Sequence, residues 1–312
     1  MIETFIHKTF RAETQAVIDQ AIAIIDDYQQ QGFTLTLRQL YYQFVSKDLI
    51  PNRDKEYKRL GSIITDARMT GQISWDAIED RGRGKKGWLI EEDISQILYE
   101  LPYAYAADYW ADQDRYIEVW VEKDALSSVV EKAVRPYRVG HMACKGYLSA
   151  SEAYRAGKRM EEARDSGKEP LVIHLGDHDP SGIDMTRDNA SRLSTFAWGD
   201  VEIQRIALNR DQVDAYNPPP NPAKITDSRA ADYILRHGNL SWELDALPPN
   251  ALVSLIQEAI KPHIDPEPWA AAKEREQENQ KRLRGLRSRW DDIVELLDRL
   301  DQDDLLDDDD EF

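Results

Sequence analysis

The sequence predicts an α/β chain with a mostly parallel sheet, preceded by a small helical domain and followed by C-terminal helices. Two observations carry this. Between Tyr116 and Leu208, short apolar runs of strand length alternate with helix-length amphipathic stretches. Such a series builds a parallel sheet with helices on both faces. On either side of it the periodicity is helical, with three stretches before residue 70 and a long charge-rich one from Trp269 to Leu300, interrupted only by Gly285.

The N-terminal stretches come first. Residues 12 to 31 carry Ala16, Ile18, Ala21, Ile22, Ile25 and Tyr28 at helical spacing, and Gly32 closes the helix. Thr34 or Thr36 opens a second helix, whose apolar stripe is Leu37, Leu40, Tyr41, Phe44 and Val45. At 100° per residue the stripe puts Tyr41 in the core. It leaves Tyr42 at the surface beside Arg38, one turn earlier. Lys55 to Met69 is a third helix, with Lys58, Arg59 and Arg68 facing outward. Ile73 to Ile78 reads as a strand, and the basic, glycine-rich Arg81-Gly-Arg-Gly-Lys-Lys-Gly87 follows it. Three short helices and a strand with a basic hairpin make the pattern of a winged helix-turn-helix over residues 1–100. An ordinary helical domain with solvated charges is the alternative.

The alternating part follows a linking helix at Ile90 to Leu101. Its strands are Tyr116 to Glu122, Arg138 to Ala143, Leu171 to Gly176 and Val201 to Leu208, with helices at Ala125 to Val134, Ser149 to Asp165 and Ile183 to Phe196. Ligand sites of such sheets lie beyond the carboxyl ends of the strands. Glu122 occupies that position on one strand, and Asp177 and Asp179 occupy it on another. Three carboxylates converging there suit a hard cation such as Mg²⁺ or Mn²⁺. Asp-x-Asp alone reads first as a polar loop, and the third carboxylate on a second strand end shifts it towards a metal site. Pro180 and Gly182 turn the chain, and Ser181 is placed to cap the next helix. Beyond Pro218-Pro-Pro-Asn-Pro222, the segment holding Lys224, Asp227, Arg229 and Trp242 to Leu247 reads as salt-bridged surface. Residues 101–250 thus form the sheet domain, 251–300 the C-terminal helices, and 301–312 a disordered acidic tail.

Composition narrows the function classes. No apolar run is long enough to span a bilayer and the N-terminus does not read as a signal peptide, so neither a membrane partner nor export is expected. The single cysteine, Cys144, excludes an internal disulfide framework and a cysteine-built zinc site, and points to a reducing, cytoplasmic setting. The net charge of −18 argues at first against nucleic acid, but it is unevenly spread. Residues 301–312 hold eight acids and no base, whereas 53–86 hold nine bases against six acids. The overall charge therefore does not exclude DNA.

Taken together, Val121-Glu-Lys-Asp-Ala125, Lys145-Gly-Tyr147 and Gly176-Asp-His-Asp-Pro-Ser-Gly-Ile183 resemble the core of a Toprim domain. More narrowly, they resemble that of the topoisomerase VI A subunit and its relative, the meiotic double-strand-break transesterase. Arg38-Gln-Leu-Tyr-Tyr42 is similar to the Arg-x-x-Tyr-Tyr of that family's winged helix, and Trp242-Glu-Leu-Asp-Ala-Leu247 to its late Glu-x-x-Ala-Leu segment. The four motifs span about residues 34 to 250 in the family's order. The resemblance implies a Toprim domain in which Glu122, Asp177 and Asp179 hold Mg²⁺, and Tyr42 is the nucleophile. It also implies a homodimer in which the tyrosine of one protomer works with the metal of the other. The chain is shorter than the family's A subunit and shows no obvious segment for docking an ATPase B subunit, which weighs against that partner.

The expected chemistry is phosphodiester cleavage in double-stranded DNA. Mg²⁺ would stabilise charge on the phosphoryl oxygens, and a tyrosine hydroxyl, with its pKa near 10, needs activation. The expected catalytic residues are Tyr42 as nucleophile, Arg38 as its electrostatic partner and Glu122 as ligand or general acid/base. Lys58, Arg59, Arg68, Arg81, Arg83, Lys123 and Lys145 are expected to meet nucleic acid, Lys123 being equally a structural salt bridge. Three readings compete: a topoisomerase-like transesterase, a Toprim nuclease using metal-activated water, and a non-catalytic DNA-binding protein. His174 and His178 are read as packed or solvated.

Overall fold

A computed structural model describes residues 3–79 and 94–307. The helices, named in chain order, are α1 (Ala12–Gln30), α2 (Leu37–Ser46), α3 (Asp54–Met69), α4 (Ile94–Ala104), α5 (Ser127–Val134), α6 (Ala150–Asp165), α7 (Pro180–Phe196), α8 (Arg210–Tyr216), α9 (Ala230–His237), α10 (Pro249–Ile260), α11 (Pro266–Ser288) and α12 (Trp290–Asp307). The strands are β1 (Leu35–Thr36), β2 (Ile78–Glu79), β3 (Arg115–Val121), β4 (Gly140–Ala143), β5 (Glu169–Leu175), β6 (Glu202–Ala207), β7 (Asn221–Pro222) and β8 (Leu240–Ser241). The chain is mixed α/β, and its main sheet is four-stranded and all parallel, in the order β4-β3-β5-β6.

Two compact units form, and they do not follow sequence order. The first takes in Met1–Gly84 and Asp114–His263, the second Lys85–Gln113 and Ile264–Phe312. In the first, side chains alternate along β3. Tyr116 and Trp120 join the core with α6 and α7, where Ala153, Ala156, Met160, Leu193 and Ala197 are buried. Helix α5 packs against α10, burying Val130, Ala133, Leu252 and Ile256. The carboxylate of Glu118, buried on the Trp120 side, accepts from Arg159 Nε (2.7 Å), Arg159 Nη2 (3.0 Å), Tyr116 Oη (2.7 Å) and Trp120 Nε1 (2.8 Å). Four donors offset the cost of burying that charge.

The strand order reverses direction between β3 and β5, since the chain moves from β3 out to β4 and then returns past β3 to β5. The carboxyl ends at such a switch point leave a crevice between the departing loops. Glu122 follows β3 and Asp177 follows β5, so sheet topology brings them together.

The helical part of this unit packs α1, α2 and α3 around Ile18, Ile25, Leu40, Phe44, Leu60 and Ile64. Thr36 caps α2 through a capping box with Gln39. The strand expected at residues 73–78 is only Ile78–Glu79, paired in parallel with β1. Before it, Ser74 Oγ accepts from Asp76 N and winds Trp75–Ala77 into a 3₁₀ turn. Residues 81–87 lie outside the described residues, Arg81 and Arg83 among them.

In the second unit, α4 packs on α11. Trp269 meets Tyr109 and Trp110 edge-on, and the buried Glu276 accepts from Ala107 N at 2.9 Å. The long helix expected from Trp269 to Leu300 is two helices. The break falls at Arg289, whose N–H turns back to Leu286 O, while Gly285 lies within α11. Helix α12 continues to Asp307, and residues 308–312 lie outside the described residues.

Candidate active site

The loop after β5 is fixed from three sides. Arg205, on β6, donates from Nη2 to Gly176 O (2.9 Å) and Asp177 O (2.7 Å), and from Nη1 to Gly182 O (2.9 Å). Burial lowers this guanidinium to about 10. His178 and Trp242 exchange two backbone hydrogen bonds of 2.9 Å each. Tyr233 Oη donates to His178 O at 2.9 Å and also lies 2.8 Å from His178 Nδ1. The expected cap at Ser181 is corrected: Asp179 is the N-cap of α7, its Oδ1 accepting from Gly182 N at 2.6 Å with Pro180 at the first helical position. The side chain that starts the turn is an acid two residues earlier, because Pro180 already holds helical φ.

The three acids are neighbours with different surroundings. Glu122 Oε2 accepts from the Asp177 N–H at 2.8 Å. Burial pushes the Glu122 carboxyl above its ordinary range, and the charge of Asp179 pushes in the same direction. Asp177 is buried. Its Oδ1 accepts from Leu244 N at 2.8 Å and its Oδ2 lies 2.9 Å from Lys123 Nζ. Burial raises it well above the usual carboxylate range, against the pull of Lys123. Lys123 also meets Glu243 and Asp245, the latter at 3.1 Å. Burial disfavours its charge, but Asp177, Asp245 and Glu243 outweigh that and raise its pKa.

The donors suit a hard cation in chemistry. Glu122 and Asp179 each keep one carboxylate oxygen outside the hydrogen bonds just given, and Mg²⁺ needs only one or two protein carboxylates when waters and phosphates complete its shell. Their arrangement is a different matter: among the described residues, no group of three or more acids, histidines or cysteines is disposed to hold a metal. Both oxygens of Asp177 are engaged, by Lys123 and by the Leu244 N–H.

Tyr42 approaches from α2. Arg38 Nη2 lies 3.4 Å from its hydroxyl and 3.1 Å from Glu243 Oε2, while Arg38 Nε lies 3.0 Å from Asp245 Oδ2. The adjacency of Arg38 and Tyr42 expected from helical phase therefore holds. The expectation that Tyr42 is presented at the surface is corrected: it is 4% exposed. The segment Leu244–Ala246, some 200 residues later, packs on α2 and covers it. Burial, then Glu243 and Asp245, push the phenol up to about 12. A cleft of about 360 Å³ is lined by Arg38, Tyr42, Asn52, Asp179, Lys224 and Glu243, so nucleophile candidate and acid share one wall system.

The remaining expected residues lie elsewhere. Lys58 is exposed on α3, and Arg59 is paired with Glu56 at 2.7 Å. Arg68 is turned onto its own fold, stacked over Trp75 and donating to the carbonyls of Trp75 and Ile78. Lys145 is exposed beside Asp124 at 3.3 Å. His174 and His178 are both fully enclosed.

Sequence reasoning missed Glu243, Asp245 and Arg205. The first two stood in a segment read as surface, and Asp245 is 1% exposed. Their signal was the acid pair Glu-x-Asp directly beside Trp242 and Leu244, which the fold buries. For Arg205 the signal was an arginine beside Ile206, Ala207 and Leu208, at the apolar end of a strand. The chain matches no family model, no curated protein and no solved structure.

Proposed function

We propose that the chain cleaves double-stranded DNA by tyrosine transesterification, through a winged-helix region that presents Tyr42 to a Toprim domain. The observation that carries this reading is a continuous chain of contacts from a tyrosine hydroxyl to the strand-end acids: Tyr42, Arg38, Glu243 and Asp245, Lys123, Asp177. Such a network serves little purpose in a purely DNA-binding fold, where buried ion pairs contribute little net stability.

In the proposed reaction the Tyr42 oxygen attacks phosphorus and loses its proton. The bond from phosphorus to the leaving sugar oxygen breaks, and that oxygen takes up a proton. Arg38 stabilises the phenolate as it forms. Glu122, whose pKa burial raises, exchanges the proton at the leaving or attacking oxygen. Asp177 and Asp179, with Glu122 where it serves as ligand instead of proton carrier, would hold a Mg²⁺ or Mn²⁺ ion, which would neutralise charge on the phosphoryl oxygens. A homodimer without an ATPase subunit is the proposed assembly.

The high pKa of Tyr42 favours a second reading, hydrolysis by a metal-activated water with Tyr42 only binding DNA. One assay separates the two. End-labelled duplex is incubated with Mg²⁺, denatured, and examined for label attached to protein. Label that vanishes in Tyr42→Phe supports transesterification, and unchanged cleavage with free ends in Tyr42→Phe supports hydrolysis. Absence of cleavage with both Mg²⁺ and Mn²⁺ would overturn both.

A further inference from the structure

We infer that the Glu243 carboxylate holds the place of a phosphodiester oxygen, so that Arg38, Lys123 and the Tyr42 hydroxyl form an anion site which Glu243 must leave before nucleic acid can enter. The inference rests on the proposed DNA-cleaving function and adds to it a resident competitor for substrate.

Three features point to this. The first is convergence. Glu243 Oε2 receives Arg38 Nη2 at 3.1 Å and the Lys123 ammonium, the two cations nearest the tyrosine. The same Arg38 nitrogen lies 3.4 Å from the Tyr42 hydroxyl. An oxygen at that position is thus a neighbour of the proposed nucleophile. Cations gathered around one oxygen are how proteins hold phosphate, and a carboxylate oxygen presents the same charge and acceptor geometry.

The second is surplus charge. Asp245 already lies 3.0 Å from Arg38 Nε and 3.1 Å from Lys123, and Asp177 lies 2.9 Å from Lys123. Asp245 therefore partners both bases by itself, and Glu243 is a further acid on each. Removing it leaves Arg38 and Lys123 paired, so it is not needed to keep either cation from being buried alone.

The third is position. The Asp245 side chain is fully buried, whereas that of Glu243 is 20% exposed and lines the cleft beside Tyr42 and Asp179. Of the three acids, Glu243 is the one with somewhere to go. Its backbone lies in the turn directly after Trp242, whose backbone pairing with His178 fixes one end. The side chain can rotate into the cleft without disturbing the loop that carries Asp177.

The test is binding without catalysis, in EDTA, with a fluorescently labelled duplex read by anisotropy and inorganic phosphate as competitor. Glu243→Gln keeps the shape and removes the charge. It should bind the duplex about tenfold more tightly, the effect of one unit charge removed at contact distance. Inorganic phosphate should compete against Glu243→Gln at lower concentration than against the wild type, and should raise its melting temperature more. Adding Arg38→Gln should abolish the gain. Glu152→Gln, an acid on α6 outside the cleft, should change affinity less than twofold. Unchanged or weaker duplex binding by a folded Glu243→Gln, in a protein that does cut DNA, would overturn the inference and leave the proposed function standing. Phosphate uptake by Glu243→Gln without duplex binding by any variant would sink the DNA reading and leave the anion site standing.

Discussion

Arg38 touches the Tyr42 hydroxyl through the same nitrogen that it extends to Glu243, so one guanidinium couples the tyrosine to the acids. Arg38→Ala should lower covalent adduct formation by roughly 10² to 10³, the range found when one charge-stabilising donor is removed from an active site. Single-turnover labelling of protein measures it. Arg38→Lys should recover little, because Arg38 meets Asp245 through Nε and Glu243 and Tyr42 through Nη2, two positions that one ammonium cannot fill. Full activity in Arg38→Lys would remove the coupling role.

Lys123 is the counter-ion of a buried acid. Lys123→Met should destabilise the fold by about 3 kcal/mol, as expected when one partner of a buried ion pair is removed. Chemical denaturation measures it. Adding Asp177→Asn should restore part of that loss, and a double-mutant cycle gives the coupling. Additive losses would mean that Lys123 does not hold Asp177.

The network from Tyr42 to Asp177 runs within one chain. Mixed Tyr42→Phe and Asp177→Asn proteins should therefore not restore cleavage, even if they form mixed dimers. Restored adduct formation would instead pair each tyrosine with the acids of the partner, as the family resemblance implies.

Acid should unfold the protein partly through His174. Burial, with some help from Arg205, holds this histidine down to about 3, against an ordinary value of 6.5. Between those values the unfolded chain binds the extra proton, so stability present above pH 6.5 is lost as pH falls towards 3. The slope from this residue is at most about 1.4 kcal/mol per pH unit. Raised carboxyl pKa values at Glu122 and Asp177 act in the opposite sense, losing stability as pH rises from the ordinary carboxylate range through their raised folded values. The useful quantity is therefore the difference between wild type and His174→Gln, which should flatten the acid limb. Parallel curves would show that His174 does not titrate on unfolding.

Gly182 is constrained by close approach, since a methyl group there would meet the Asp177 carbonyl oxygen. Gly182→Ala should push the loop away from Arg205 and abolish cleavage, with a stability loss of about 1–3 kcal/mol typical of overpacking. Wild-type cleavage would show that the loop geometry is not needed.

The parallel sheet was legible because β3 and β5 are largely apolar, β6 alternates apolar and polar residues, and the intervening helices have their own period. Glu122 and Asp177 were legible as strand-end acids because the sheet's switch point lies between β3 and β5. The fate of Tyr42 was not. Helical phase reports only how a residue lies relative to its own stripe, and the cover over Tyr42 comes from Leu244–Ala246. The same distance in sequence hid the role of Glu243 and Asp245. Charge counting alone made them surface, and the pairing of Trp242 with His178 and of Leu244 N with Asp177 carries them inward. The short 3₁₀ turn at Trp75–Ala77 was lost because Ser74 offered the backbone a local partner that hydrophobic alternation does not weigh.

The fixation of residues 176–182 by Arg205, Trp242 and Tyr233 gives the cleft walls of unequal compliance. The strand-end wall is stiff, its backbone carbonyls held by Arg205 and Tyr233 and its chain paired with Trp242. The opposing wall is held by the long Arg38 side chain, by Asn52 on Asn221 and by the packing of Leu244–Ala246 on α2. On the proposed function, a rigid duplex would therefore be accommodated by the side chains of the Arg38 wall, while the acids keep their register.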